Sequence, residues 1–200
     1  MNNLGRGHSA ATLSEASGSA VALSPELRPL WTGARLCGLA FTVQGASGDN
    51  LALHHAVLQA PAGSVLVADV GGARYGHWGE VLTVAAQQRG LTGLLIDGGV
   101  RDAAELERLG FPVFSRNNSI RGTRKNFRGV FACPVTVGEV TVHTGDLIVG
   151  DVDGIVALPA AEIDLILDRA DARVAHEAEL MDRIRQGRST LELYSFDAVR

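Results

Sequence analysis

Short apolar runs separated by glycine and proline dominate the chain from Gly33 onward. Valine-rich runs of about four to six residues alternate with longer segments rich in alanine, leucine and glutamine, which have a helical period. The segments interpreted as strand, helix, strand, helix and strand are GLAFTVQG, LALHHAVLQA, GSVLVADVGG, GEVLTVAAQQRG and LTGLLIDGG. This alternation predicts parallel strands joined by crossover helices, and therefore an α/β fold.

The pattern changes after Asp102. AAELERLG predicts a short helix, FPVFSR a strand, and RNNSIRGTRKNFRG an exposed loop. VFACPVTVG, VTVHTGDLIVGD and GIVALP predict an antiparallel meander, and residues 160–186 predict one long amphipathic helix or two broken ones. We expect a single domain over residues 1–200, with a frayed N-terminus at about 1–12 and a C-terminal helical extension at about 160–200.

Composition narrows the possible partners. The chain has 18 basic and 22 acidic residues, and a net charge of -4 provides no general attraction for nucleic acid. No run approaches the length of a membrane helix and no secretory signal is evident, so we expect a cytoplasmic protein without membrane contact. Cys37 and Cys133 lie far apart in apolar segments, which is typical of buried thiols rather than of a disulfide or zinc site.

Opposite charges meet at the end of the strand LLIDGGV. Arg101 and Asp102 follow it directly, and Glu80 opens the preceding helix, with twenty residues between Glu80 and Arg101. Because a strand, helix, strand unit returns the chain to the same edge of the sheet, these side chains are expected to share one pocket. Arginine donors match a carboxylate, and aspartate is an oxygen ligand suited to Mg²⁺ or Mn²⁺. The pattern alone fits equally well a helix cap with a solvated neighbour.

Backbone groups are expected to complete this pocket. Gly98 and Gly99 would let the backbone approach a small ligand and adopt angles closed to other residues. The N–H groups expected to cradle an anion at the start of the helix are those of Gly79, Glu80, Val81 and Leu82. Together these features suit a small keto acid held on a metal.

Several other polar residues have two interpretations. One of His54 and His55 is expected to be packed rather than catalytic, whereas His77 either faces the pocket or lies in a solvated loop. Asp97, inside an apolar strand, requires a partner, such as neighbouring backbone. Asp151 and Asp153 are typical of a turn with Asx hydrogen bonds rather than of a calcium loop. A basic loop, either solvated or in contact with an anionic substrate or subunit, contains Arg116, Arg121, Arg124, Lys125 and Arg128.

The spacing of Glu80, Arg101 and Asp102 resembles the D/E-x20-R-D signature of the class II pyruvate aldolases in the RraA-like family, which include 4-hydroxy-4-methyl-2-oxoglutarate aldolase. The resemblance extends, in order, over RPLWTGARLCGLAFTV, GDNLALHHAV, GSVLVADVGG, GLTGLLIDGGVRD, GFPVFSR and TGDLIVGDVDGIVALP. The chain departs from many relatives at Trp78, Val81, Asn117 and Asn118, which leaves the distal half of the substrate open.

The resemblance implies a role for each site residue. Asp102 would be the metal ligand, with Mg²⁺ favoured over Mn²⁺, and Arg101 would bind the carboxylate and keto oxygen of a 2-oxo acid. Glu80 would hold a metal-bound water, and the Gly79 to Leu82 turn would line the same site. The implied fold is a compact β/β/α sandwich like a swivelling domain, assembled as a homotrimer or hexamer with pockets at subunit interfaces.

Two hypotheses follow from the resemblance. The first is a metal-dependent lyase that cleaves 4-hydroxy-4-methyl-2-oxoglutarate or decarboxylates oxaloacetate through a stabilised enolate. The second is a non-enzymatic regulator that binds ribonuclease E, as other members of the family do. Those regulators lack the acid at the position of Glu80, which this chain retains, so the lyase is the leading hypothesis.

Overall fold

The structure, a computed structural model, describes residues 4–18 and 22–196. The helices within this part are α1 (Ala10–Ser17), α2 (Leu51–Gln59), α3 (Glu80–Gln88), α4 (Ala103–Arg108), α5 (Ile163–Arg185) and α6 (Thr190–Leu193), with a 3₁₀ turn at Ala160–Glu162. The strands are β1 (Arg28–Pro29), β2 (Leu36–Gln44), β3 (Ser64–Trp78), β4 (Gly93–Val100), β5 (Val113–Asn118), β6 (Val130–Phe131), β7 (Val135–Val137), β8 (Val140–Val142), β9 (Leu147–Gly150) and β10 (Ile155–Leu158).

One mixed sheet organises the described residues. Its order is β1, β5, β4, β3, β2, β9 and β10, and β6 also pairs with β2. Strands β2 to β5 are parallel, with α2, α3 and α4 between them in the chain, so the predicted crossover architecture is confirmed. The simple meander is wrong in its pairing: β6 and β9 both return to β2, whereas β7 and β8 form a separate hairpin.

The sheet is covered on both faces, which explains why its central strands are continuously apolar. Leu66 and Ala68 of β3 pack with α2, α3 and α4, whereas their neighbours Val65 and Val67 pack in the cluster of the β7–β8 hairpin. The order of layers is therefore helices, central sheet and small hairpin. The α/β class is confirmed, and these layers match the expected β/β/α sandwich.

Helices α1 and α5 pack together beside β9 and β10. Ser9 caps α1 by accepting a hydrogen bond from the Thr12 amide at 3.1 Å, and Leu13 is fully buried against the β9, β10 and α5 cluster. The expected frayed segment includes residues 1–3, which lie outside the described residues. The long C-terminal helix is α5, unbroken from Ile163 to Arg185, and the single-domain assignment stays a prediction. Among the described helices, none is both long and apolar enough to cross a membrane.

Candidate functional site

The ends of β3 and β4 bring the predicted site residues together. Trp78 is the last residue of β3, and its carbonyl accepts a hydrogen bond from the Arg101 amide at 2.8 Å. Helix α3 begins two residues after Trp78, and Asp102 stands immediately before α4. The parallel pairing of β3 and β4 therefore places Glu80, Arg101 and Asp102 at one edge of the sheet, as the spacing predicts.

Asp102 contacts a helix other than its own. Its backbone is left-handed (φ 60°, ψ 41°), and its side chain makes no capping hydrogen bond to α4. Instead, Oδ2 accepts a hydrogen bond from the Glu80 amide at 3.0 Å, at the first residue of α3. Arg101 Nε lies 3.5 Å from the same oxygen. The expected helix N-cap thus exists, but Asp102 caps the neighbouring helix.

The Glu80 carboxylate has a partner that the sequence did not indicate. Arg108 Nη2, in the last turn of α4, lies 3.2 Å from Glu80 Oε1, and the Arg108 and Glu80 side chains are 69% and 42% exposed. A solvent-accessible ion pair of this kind contributes about 1 kcal/mol or less to stability, so it orients the Glu80 side chain without fixing it. The only signal in the sequence is a basic residue near the end of a short helix, which by itself indicates no function.

The predicted anion cradle is only partly available. The Glu80 amide is occupied by Asp102, and the N–H groups of Val81 and Leu82 have no acceptor in the part of the chain that the structure describes. Val81 is 76% exposed beside the site, whereas the Leu82 side chain packs in the core. The start of α3 therefore offers two donors rather than a full turn of them.

Glycines allow the close approach of these groups. A Cβ on Gly79 would overlap Asp102 Oδ2, and a Cβ on Gly76 would lie 3.1 Å from Arg101 Cδ.

Gly98 and Gly99 have a different role from the one expected. Their φ angles are not positive, and their missing side chains leave room for Val70 and for the Tyr75 backbone. The expectation that they admit a ligand is wrong, because β3 occupies that space.

His77 is fully buried, so both expectations for it are wrong. Its Nε2 accepts a hydrogen bond from the Gly48 amide at 3.1 Å, and its Nδ1 lies 3.3 Å from the Gly99 carbonyl oxygen. Burial holds the pKa of His77 below its ordinary value, although the Gly99 carbonyl opposes that effect. His54 and His55 lie elsewhere, on α2: His54 is partly buried, which lowers its pKa, and the His55 ring packs edge-on against Phe131 at 6.4 Å between centroids.

Asp97 has a side-chain partner. It is 7% exposed, forms a bidentate ion pair with Arg116, and accepts a hydrogen bond from the Gly138 amide at 3.0 Å. Arg116 also pairs with Glu26, and its hydrogen bond to Asp97 raises its pKa. Arg116 therefore lies in β5, where it links the buried Asp97 to the exposed Glu26, and its assignment to the basic loop is wrong.

The remainder of the basic loop is exposed but attached at several points. The Arg121 carbonyl accepts a hydrogen bond from the Gly76 amide at 2.8 Å, and Asp49 Oδ2 accepts one from the Asn126 amide at 2.6 Å.

The Asx turn predicted at Asp151 and Asp153 is confirmed, since the Asp153 amide donates to Asp151 Oδ1 at 3.0 Å. Cys37 and Cys133 are free thiols that are only partly buried, which is less burial than expected.

A cleft of about 990 Å³ lies next to the predicted site rather than on it. Asp97, Arg116, Ser119 and Arg121 line it, whereas Glu80, Arg101 and Asp102 do not. The three charged residues stay the predicted site, because the volume of a cleft indicates no reaction, whereas the Glu80 amide and Arg101 Nε both lie close to Asp102 Oδ2.

The residues at this edge fit a divalent ion of the Mg²⁺ type. In the described residues, no group of three or more histidine, cysteine, aspartate or glutamate side chains could hold a metal by itself. Mg²⁺ does not need one, because it keeps several waters and binds through one or two carboxylates together with its substrate. Asp102 meets that requirement, since its side chain is 35% exposed and Oδ1 makes no hydrogen bond within the described residues.

The chain is similar to several known proteins. A protein of Halalkalibacterium halodurans named "Putative 4-hydroxy-4-methyl-2-oxoglutarate aldolase" is 33% identical over 90% of this chain and 88% of its own. The structure of an uncharacterized protein from Pseudomonas syringae covers 98% of this chain and 92% of its own, with a TM-score of 0.85 and 29% identity. The structure of the RNA-processing inhibitor RraA from Thermus thermophilis covers 76% and 93%, with a TM-score of 0.70 and 27% identity. The family model described as Aldolase/RraA matches residues 10–157, and the chain belongs to the RraA-like family.

Proposed function

We propose that this protein is a divalent-metal-dependent lyase that breaks a carbon–carbon bond of a small 2-oxo acid and releases pyruvate. The observation that carries the proposal is the convergence of Glu80, Arg101 and Asp102, whose carboxylate oxygen receives the Glu80 amide at 3.0 Å and lies 3.5 Å from Arg101 Nε. Relatives named as aldolases support the reaction class.

The side chains have distinct roles in this proposal. Asp102 holds the ion, Mg²⁺ by preference or Mn²⁺, which when bound would polarise the 2-oxo group as a Lewis acid. Arg101 binds the carboxylate and the 2-oxo oxygen of the substrate, and its fork of donors stabilises negative charge on that oxygen as the bond breaks. The Val81 and Leu82 amides are donors for the same anionic substrate.

The chemistry balances without a further reactant. In 4-hydroxy-4-methyl-2-oxoglutarate, the C3–C4 bond breaks and its electron pair stays on C3, which forms the enolate of one pyruvate. The C4 hydroxyl loses its proton and becomes the carbonyl group of the second pyruvate. In oxaloacetate, the same bond breaks with loss of CO₂. In the aldol cleavage, a water held by Glu80 accepts the hydroxyl proton and returns it to the enolate at C3. In the decarboxylation, the enolate takes a proton from solvent water at C3.

Pyruvate release from both substrates, with and without EDTA, tests this function. We expect turnover to stop with EDTA, to return with Mg²⁺ or Mn²⁺, and to fall in Glu80→Gln. Turnover that is unaffected by EDTA would contradict the metal dependence. A lack of turnover with both substrates would contradict the proposed lyase activity.

The second candidate is a non-enzymatic regulator, favoured by the similarity to an RNA-processing inhibitor of the same family. Retention of Glu80 favours the lyase, because the resemblance implies regulators that lack an acid at this position. Inactivity on 2-oxo acids combined with binding to a ribonuclease would reverse the assignment.

We also propose a homotrimer or hexamer. Leu191, Tyr194 and Phe196 are each about half exposed at the C-terminal end of the described residues, and the Tyr194 and Phe196 rings stack at 5.3 Å. Apolar clusters of this kind usually mark a contact surface. Cytoplasmic location stays a prediction.

A further inference from the structure

The ends of β3 and β4 are not joined by regular pairing. Asp69 pairs with Asp97 and Trp78 pairs with Val100, so eight residues of β3 face two residues of β4 between those points. The longer side must leave the ladder, and residues 70–77 form an irregular bulge that rejoins it only at Ala73, which pairs with Gly98. Regular pairing resumes only at Trp78 and Val100, so the residues of β3 just before the site are held by contacts other than a continuous ladder.

The His77 side chain fills this bulge and links it to two other segments. Nε2 receives the Gly48 amide at 3.1 Å and Nδ1 faces the Gly99 carbonyl at 3.3 Å. Gly48 belongs to the segment between β2 and α2, whereas Gly99 lies two residues before Arg101. The imidazole thus connects the segment before α2 to the end of the strand that carries the site.

These bonds define the state of the ring. An N–H group donates to Nε2, so that nitrogen carries no proton, and the proton stands on Nδ1, where it donates to a carbonyl. The backbone of the same residue is held as well, because its carbonyl accepts a hydrogen bond from Asn50 Nδ2 at 3.0 Å. Asn50 and His77 are 8% and 0% exposed, so water does not replace these contacts.

We propose that His77 is a positioning residue that holds Gly79 and Glu80 in place against Arg101 and Asp102. The hydrogen bond from His77 to the Gly99 carbonyl holds the C-terminal end of β4, which leads into Arg101. Because His77 lies two residues before Gly79, the same side chain also holds the C-terminal end of β3. The inference concerns the proposed active site and rests on the proposed function only where turnover is the readout.

Two conservative variants separate the two ring contacts. His77→Asn keeps a donor near the Nδ1 position, and His77→Gln keeps an acceptor near the Nε2 position. His176→Gln is the matched control, since His176 is exposed on α5. We expect His77→Gln to lower kcat by about 10- to 100-fold, because small misplacements of reacting groups have effects of this size. His77→Asn should retain more activity, because it keeps the Gly99 contact.

Amide hydrogen exchange tests the positioning without any assumed activity. In His77→Gln the Arg101 and Glu80 amides should exchange faster, whereas amides within α5 should not change. A folded His77→Gln protein with the parent's exchange rates and kcat overturns the proposal. An inactive parent overturns the proposed function alone, since the exchange result is still decisive for His77.

If neither variant folds, imidazole nitrogen NMR of the parent protein decides. We expect one neutral His77 ring, protonated on Nδ1 and unprotonated on Nε2, whose signals shift when Mg²⁺ is added, unlike those of His176. A ring protonated on Nε2 overturns the proposal, and a lack of response to Mg²⁺ overturns it where Mg²⁺ does shift the Asp102 signals.

Discussion

Asp102 accepts the first amide of α3 from Glu80 at 3.0 Å, so the proposed metal ligand is also the cap of a neighbouring helix. Loss of the carboxylate therefore has two effects that must be separated. Asparagine accepts a hydrogen bond and tolerates a left-handed backbone, whereas alanine does neither well.

For Asp102→Asn, we expect metal binding to disappear while stability stays near that of the parent. For Asp102→Ala, we expect the same loss of metal and a free energy of unfolding lower by about 0.5–2 kcal/mol, the usual range for a lost cap. Calorimetric titration with Mn²⁺ and urea denaturation measure the two effects. Parent-like Mn²⁺ affinity in Asp102→Asn would rule out Asp102 as the ligand.

Arg101→Lys should lower kcat by about 100-fold, because one ammonium cannot reproduce a bidentate fork aimed at developing charge. Stability should change by about 0.5 kcal/mol or less, since the side chain is 49% exposed. Steady-state pyruvate release measures the effect, with Arg185→Lys on α5 as the control. A near-normal kcat would reassign Arg101 to a structural role.

Gly79→Ala should weaken both metal binding and turnover, because the added Cβ would overlap Asp102 Oδ2 and displace the carboxylate. Gly122→Ala is the matched control: nothing lies within 4 Å of a Cβ there, and its φ is not positive. Mn²⁺ titration of both variants checks this. Equal affinities in the two variants would mean that the carboxylate relaxes without loss of its function.

The stability of the protein should fall as the pH drops below about 6.5, the ordinary pKa of histidine. Burial lowers the pKa of His77, so the unfolded chain binds a proton more readily there, and stability from this residue is complete only above that pH. Urea denaturation between pH 8 and pH 5 measures the slope. His77→Gln should reduce the slope of stability against pH by an amount that corresponds to at most about one bound proton. A slope equal to that of the parent would contradict the buried state of the ring.

Light scattering coupled to size exclusion should show a trimer or hexamer at micromolar concentration. Replacement of Leu191 and Phe196 by serine should shift the mass downward if the C-terminal segment lies in the interface. A monomeric parent would contradict both the assembly and any site shared between subunits.

Sequence patterns predicted the strands and the charged edge because both depend on local properties. Glu80 and Asp102 meet because a parallel crossover returns the chain to one edge, and the spacing alone contains that information. The ion pair between Asp97 and Arg116 was not predicted, because it depends on the register of two strands whose residues lie 19 positions apart. The third member of the group, Glu26, lies 90 positions from Arg116, and no local pattern connects them. His77 was missed because a bulge, which leaves no periodic signal, buries a histidine that the sequence places near a loop.

The position of β2 has a consequence for folding. This strand lies inside the sheet, between β3 and β9, and Leu36 pairs with Gly150. Pairings between such distant residues form slowly, and a nascent chain cannot complete the sheet until β9 has left the ribosome. Until then one edge of β2 is open to other chains, so a fragment that ends before residue 147 is expected to aggregate rather than fold.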